Sequence, residues 1–229
     1  MALLAGVACP PLARAQPGPA LEPFDAIVVT GSAAVHFTQG EREQVRIEGV
    51  DDDTQLRELF DVRDGRLRLH LAGAWRFWRS SRPRIEVTAR ELTRVVISGA
   101  ADFAAPGPVR SRRLGVSIAG SGSVRFDRLD ADSLTFDVSG SGDGRVAGVA
   151  RELNLRIAGR GELDAEQLQA DRAKVSISGV GEVRLWAVHE LSVAVTGAGR
   201  VDYWGSPTVR RSIAGAATIN ERGGKAAVR

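Results

Sequence analysis

The chain has one cysteine, Cys9, one methionine and one tyrosine, and only 5% of its 229 residues are aromatic. Cys9 lies in an apolar leader. Once that leader is removed, neither a disulfide nor thiol chemistry is available. No stretch approaches the roughly 18 consecutive apolar residues that span a bilayer, so no transmembrane helix is expected. The three histidines, His36, His70 and His189, are scattered without metal-ligand spacing, so neither a metal site nor a cofactor is expected. Lysine is nearly absent as well: Lys174 and Lys225 stand against 29 arginines. Acidic residues are interspersed among the arginines and the formal net charge is only +3, without the concentrated basic stripe of a nucleic-acid binder. With so few aromatics, the core must be built from Val, Leu, Ile and Ala.

The leader is the first departure from this background. Ala2 to Cys9 is apolar, and Ala13-Arg14-Ala15 places small residues at both determining positions of a cleavage site. Residues 1–15 are read as a signal peptide with a truncated start, cut before Gln16. Gly6-Val7-Ala8-Cys9 departs from a lipoprotein box, with Gly6 where Leu is usual, and leaves lipidation of Cys9 open.

Glycine is abundant, and its placement is periodic. Val116-Ser-Ile-Ala-Gly120-Ser-Gly122-Ser-Val124 is followed by equivalent units built on Gly140 and Gly142, Gly159 and Gly161, Gly179 and Gly181, and Gly197 and Gly199. Degenerate copies begin at Val29, Ile97 and Ile213, with Ala in place of the second Gly. From Gly99 to Gly215 the leading glycines are spaced 21, 20, 19, 20, 18 and 18 residues apart. Between them apolar residues alternate, as in Leu114-Val116-Ile118 and Leu153-Leu155-Ile157, the period-two pattern of half-buried strands. Such a unit cannot bury its apolar face alone. Stacked about 4.8 Å apart, successive copies pair strand to strand and form one inward column.

The predicted fold is therefore all-β: a parallel β-solenoid with coils of about 18–21 residues, occupying 24–219 as a single domain. An antiparallel sandwich with Gly-x-Gly hairpins is the competing reading, but it gives no reason for a recurring period. The turn glycines are expected to allow positive φ and to leave no Cβ against the copy above. The small residues before them (Ala119, Ser139, Ala158, Ser178, Thr196) suit a crowded corner ladder. Residues 24–93 are less regular, with alternating strands and a short helix from Asp51 to Leu59; they are expected to cap the apolar end of the stack. Residues 220–229 read as a flexible tail.

The opening Phe24-Asp-Ala-Ile-Val-Val-Thr-Gly-Ser-Ala-Ala-Val35, the strand Val45-Arg-Ile-Glu-Gly49 and the repeated Ile-Ser-Gly-x-Gly-x-Val units carry a family resemblance over residues 24–205. The chain resembles the putative auto-transporter adhesin head GIN domain family of exported bacterial proteins. That resemblance implies a right-handed parallel β-solenoid and an adhesion-like surface role. The family's motifs are structural, so no binding residues carry over.

Two candidate sites emerge. Asp102, Asp143, Glu162 and Glu182 follow the turn at a fixed offset, interrupted by Ser123, Arg200 and Thr218, and would stack as an acidic ladder able in principle to hold calcium. Solvated corner decoration is the plainer reading, because the Asp-rich nonapeptide of calcium-binding β-rolls is absent. The sharper candidate is Trp75, Phe77 and Trp78 interleaved with Arg76, Arg79, Arg82 and Arg84. Planar aromatics stack on sugar rings, and guanidinium forks bind carboxylate or phosphate. The ligand-binding expectation thus falls on Trp75, Arg76, Trp78, Arg79 and Arg82, with an anionic glycan, lipopolysaccharide or another envelope protein as partner. A hairpin whose aromatics merely cover the core end is the structural alternative.

Serines lie mostly in the repeated turns, without a nucleophile elbow, so no catalytic residues are assigned and a non-enzymatic, exported scaffold or binding module is expected, periplasmic, outer-envelope or secreted. A solenoid lyase or hydrolase acting on carbohydrate and a purely structural envelope protein remain alternatives. The open strand edge at the last coil invites self-association.

Overall fold

The computed structural model describes residues 21–50, 52–71 and 83–225. It is a parallel β-solenoid of about six turns. Five long strands form its body: β8 (Asp102–Ile118), β9 (Ser123–Val138), β10 (Ser141–Ile157), β11 (Arg160–Ile177) and β12 (Val180–Val195). Each of these five strands pairs in parallel with the next, which removes the sandwich alternative. Each runs down one side of a coil and up the other. The far corner is marked by a register shift, as between Ala105 and Pro108 or Ala165 and Gln169.

Alternation produces the core. Ile97, Ile118, Val138, Ile157, Ile177 and Val195 are consecutive partners across the coils and all are buried. Each such side chain contributes about 1.5–3 kcal/mol by leaving water. At the N-terminal end the core is aromatic, with Phe37, Phe103 and Phe126 rings 6.1 and 5.6 Å apart in succession.

The glycine corner works by contact. Gly120, Gly140, Gly159, Gly179 and Gly197 do not have positive φ, contrary to the expectation from sequence. The corner bends while its hydrogen-bond ladder continues: Ser121 N donates to Gly99 O at 2.8 Å and Arg160 N to Gly140 O at 2.9 Å. A Cβ on Gly159 would lie 2.0 Å from Gly140 O, directly in the path of that ladder. The second glycines are tight against the coil below near the N-terminus and looser further on, from 2.4 Å at Gly122 to 3.1 Å at Gly199. The small residues before the first glycine are exposed, and the Ser139 and Ser178 hydroxyls reach backbone carbonyls only at 3.4 and 3.5 Å.

The N-terminal region contributes to the stack itself as well as covering its end. β1 (Ala26–Gly31) lies in the parallel sheet beside β7 (Arg94–Gly99), and β2 (Ala34–Gln39) beside β8 and β6 (Arg84–Ala89). The antiparallel pairs β3 (Gln44–Ile47) with β6, and β4 (Phe60–Arg63) with β5 (Arg66–His70), close that end. The helix α1 (Asp53–Leu59) starts where the Asp52 carboxylate accepts from Thr54 N at 2.7 Å, and it buries Leu59.

The C-terminal end is built differently. β13 (Ala198–Trp204), β14 (Thr208–Ile213) and β15 (Ala216–Glu221) complete the last coils, and among the described residues no strand lies beyond β14 or β15. There the inward columns end in charge: Arg211 is the partner of Val193 and Glu221 of Tyr203. β15 runs one residue past the expected start of the tail, and Arg222 N continues the ladder to Tyr203 O at 2.8 Å.

Candidate functional site

One outer face of the solenoid carries a groove of about 990 Å³ at the N-terminal coils and a smaller one of about 360 Å³ further along. Both follow from coil register. Arg113, Ser133, Glu152, Arg172, Glu190 and Thr208 form one row across the coils, and Gly115, Thr135, Asn154, Lys174, Ser192 and Arg210 form the next outward row. With period-two alternation, every position between the buried apolar residues of these strands presents a polar group along a single line.

The larger groove is rich in arginine. Arg90 precedes β7 and Arg94 opens it, and Arg110, Arg112 and Arg113 come from the middle of β8 one coil later. Gln39 fixes the rim: its Nε2 donates to Arg90 O at 2.8 Å and Arg110 O at 3.0 Å, and its Oε1 accepts from Arg110 N at 2.7 Å. Three of the four carboxylates that line the groove face arginines, while the side chain of Glu91 makes no ion pair or hydrogen bond among the described residues. Asp130 faces Arg110 at 3.9 Å, Asp132 faces Arg151 at 3.3 Å and Asp137 faces Arg156 at 3.3 Å. Among the described residues the side chains of Arg94, Arg112 and Arg113 make no ion pair or hydrogen bond. Three unpaired guanidiniums thus share one open polar groove with a single unpaired carboxylate, Glu91. In the second groove Arg172 Nη2 donates to Glu152 Oε1 at 2.8 Å, and this hydrogen bond, with the Glu152 charge, raises the Arg172 pKa further; Lys174, Glu190 and Arg210 line it as well.

The acidic ladder forms as a column. Asp102, Ser123, Asp143, Glu162, Glu182, Arg200 and Thr218 are consecutive partners from β8 to β15. It is wired internally: Ser123 Oγ donates to Asp102 at 2.7 Å, Glu162 N donates to Asp143 at 3.2 Å, and Arg184 bridges Glu162 and Glu182. Among the described residues no group of three or more His, Cys, Asp and Glu side chains is placed to hold a metal ion. His70 is exposed and faces Asp61 at 3.6 Å; His189 is also exposed, and His36 is half-buried on β2.

Trp75, Arg76, Phe77, Trp78, Arg79 and Arg82 lie outside the described residues. The ends of that segment are fastened, by Leu71 N to Thr30 O at 2.8 Å and by Ala34 N to Pro83 O at 2.9 Å. The arginine groove was not singled out from sequence, although a signal existed: Arg90 and Arg110 stand 20 residues apart, one repeat period, and Arg112-Arg113 follow directly.

No helix among the described residues is long and apolar enough to cross a membrane. No curated protein matches the chain. Its backbone is similar to that of a solved putative adhesin from Bacteroides fragilis, with a TM-score of 0.76 and 24% identity over 88% of this chain and 93% of the other. It is also similar to a putative lipid binding protein from Parabacteroides distasonis (TM-score 0.65, 20% identity, 88% of this chain and 93% of that one). A putative adhesin from Parabacteroides merdae gives the same score and identity over 89% and 93%. The family model described as putative auto-transporter adhesin, head GIN domain, matches residues 23–207, and the chain belongs to that family.

Proposed function

We propose that this chain is an exported, non-enzymatic, adhesin-like binding module that holds an anionic surface polymer along its polar groove. The supporting observation is the set of three unpaired guanidiniums, Arg94, Arg112 and Arg113, in a groove where Asp130, Asp132 and Asp137 are paired with other arginines and Glu91 alone of the lining carboxylates is unpaired. Guanidinium forks match carboxylate and phosphate geometry, and a row of them in successive coils suits a linear chain of such groups. A uronate-rich glycan or the phosphorylated core of lipopolysaccharide presents that chemistry. The aromatic and basic segment of Trp75, Arg76, Trp78, Arg79 and Arg82 would add ring stacking to the same recognition. The family's adhesin name and the adhesin names of similar structures agree with a binding role.

The test is binding of residues 16–229 to immobilised polygalacturonate, lipopolysaccharide and neutral dextran. The comparison variants are Arg94→Ser/Arg112→Ser/Arg113→Ser and Trp75→Ala/Trp78→Ala, each checked for folding by circular dichroism. The reading expects anion-selective binding that the triple variant loses. Equal binding to dextran, or an unaffected triple variant, refutes it. Release of reducing ends from the polymer would instead favour the carbohydrate-active alternative.

A further inference from the structure

On the opposite chemical side of the molecule lies a recess that would take a cation. Alternation points Leu185 into the core and Trp186 outward, yet Trp186 is only 5% exposed. Its partner in the next coil is Trp204, so two indoles occupy neighbouring positions on the outside of the solenoid. In the preceding coil, the register shift between Ala165 and Gln169 places Glu166 at the same corner. The cover is the segment that follows β15. After β15, Gly205 N donates to Gly223 O at 3.0 Å, and Lys225 then turns back over the corner. Its Nζ lies 4.4 Å from the Trp204 ring centroid and 6.0 Å from that of Trp186. It donates to Glu166 Oε1 at 2.8 Å and Glu166 O at 3.0 Å.

Two ring faces, a carboxylate and a carbonyl around one nitrogen are the elements of an ammonium site. The occupant is informative, because it is one of only two lysines in a chain with 29 arginines. A compact ammonium can lie over the Trp204 ring while turning its N–H groups toward Glu166, a geometry for which a planar guanidinium has a different shape. The neighbouring Gly223 and Gly224 meet nothing within 4 Å of a built Cβ, so this segment is not packed into the body on its own account.

We propose that the Trp186–Trp204–Glu166 recess is a binding site for a primary alkylammonium group, self-occupied by Lys225 in the free chain and opened when a ligand displaces it. The group could be carried by a lysine side chain of another protein or by an ethanolamine headgroup. The site is separate from the arginine groove and takes ligand of the opposite charge, so its fate does not depend on the function proposed above.

The test uses the full chain and its Lys225→Ala variant, titrated with Nα-acetyl-lysine amide, phosphoethanolamine and choline, with tryptophan fluorescence as readout. Lys225→Ala is expected to bind one or both primary amines at least fivefold more tightly than the unaltered chain, and whichever amine saturates identifies the source. Choline, which has no N–H to donate, is expected to bind more weakly. Adding Trp204→Ala or Glu166→Gln to Lys225→Ala should abolish the response while the far-ultraviolet spectrum stays unchanged. The proposal is overturned if Lys225→Ala gains no amine affinity, if the response survives Trp204→Ala, or if choline binds as tightly as the primary amines.

Discussion

Gly144 lies against the ring of Phe136: a Cβ built on it would be 2.5 Å from Phe136 Cζ and 2.3 Å from Leu163 Cδ1. Gly144 occupies a column whose neighbours are Val124 and Leu163, so the missing side chain makes room for a phenyl ring from the other side of the coil. Gly144→Ala is expected to overpack this layer and destabilise the fold by about 1–3 kcal/mol. Gly144→Ala with Phe136→Leu should recover part of that loss. Urea unfolding of the single and double variants checks the coupling.

Gly159→Ala is expected to cost about 3 kcal/mol or more, because the new methyl meets a backbone carbonyl that cannot move without breaking the ladder. At Gly199 the nearest atom to a built Cβ is a flexible Ile177 methyl at 3.1 Å, so Gly199→Ala should cost less, about 1 kcal/mol. Thermal unfolding of the two variants side by side tests the ranking. Equal losses would refute it.

The last coil should loosen in acid. Burial disfavours the Asp202 charge, but hydrogen bonds from Arg222 and Asn220 and the charges of Arg222 and Arg200 outweigh it and hold the carboxyl below its ordinary pKa. The stabilisation is therefore complete above the unfolded carboxyl value of about 3.9 and is lost as pH falls through the lower folded value. Hydrogen exchange over residues 206–222 should accelerate below about pH 4. Asp202→Asn should show fast exchange already at pH 7, at a cost of about 2 kcal/mol, with little further change in acid.

Arg211 and Glu221 occupy inward positions of the terminal coil, and inward charges at a sheet edge oppose pairing with another chain. Arg211→Val/Glu221→Val is expected to turn this edge into a self-associating surface, beside Ile213, which is already 46% exposed. Light scattering should show the unaltered protein keeping a lower mass than the double variant at equal concentration.

Polymer binding in the arginine groove should weaken steeply with salt, since exposed charges are screened within about 10 Å at 0.1 M ionic strength and about 3 Å at 1 M. Measuring affinity for polygalacturonate from 0.05 to 1 M salt, roughly the range over which that screening length collapses, should show a loss of at least tenfold. Affinity that does not change with salt would count against guanidinium recognition.

The coils from Gly99 onward were readable because each repeats the same two constraints, alternation and a glycine that has no room for a Cβ, at nearly constant spacing. The acidic column followed from one fixed offset within that unit. The N-terminal coil was harder, because β1 pairs with β5 and β7, some 40 and 68 residues away, with the β4–β5 hairpin and the long-range antiparallel pair β3–β6 in the same stretch. The reason given for the turn glycines was only half right, since local sequence does not distinguish a φ requirement from an inter-coil contact. The arginine groove draws on two coils, and the Lys225 recess on three coils and the segment after β15. Neither shows as a local motif.

The unbroken hydrogen-bond ladder through the glycine corners also has a mechanical meaning. Its bonds run along the solenoid axis, so a pull applied between the two ends loads one coil at a time and not all of them in parallel. Extension would proceed as a sequence of small, nearly equal rips, each freeing about 20 residues, or roughly 65 Å of chain. A tether of this kind limits the peak force on whatever it holds by lengthening in steps, and it can re-form coil by coil when the tension is released.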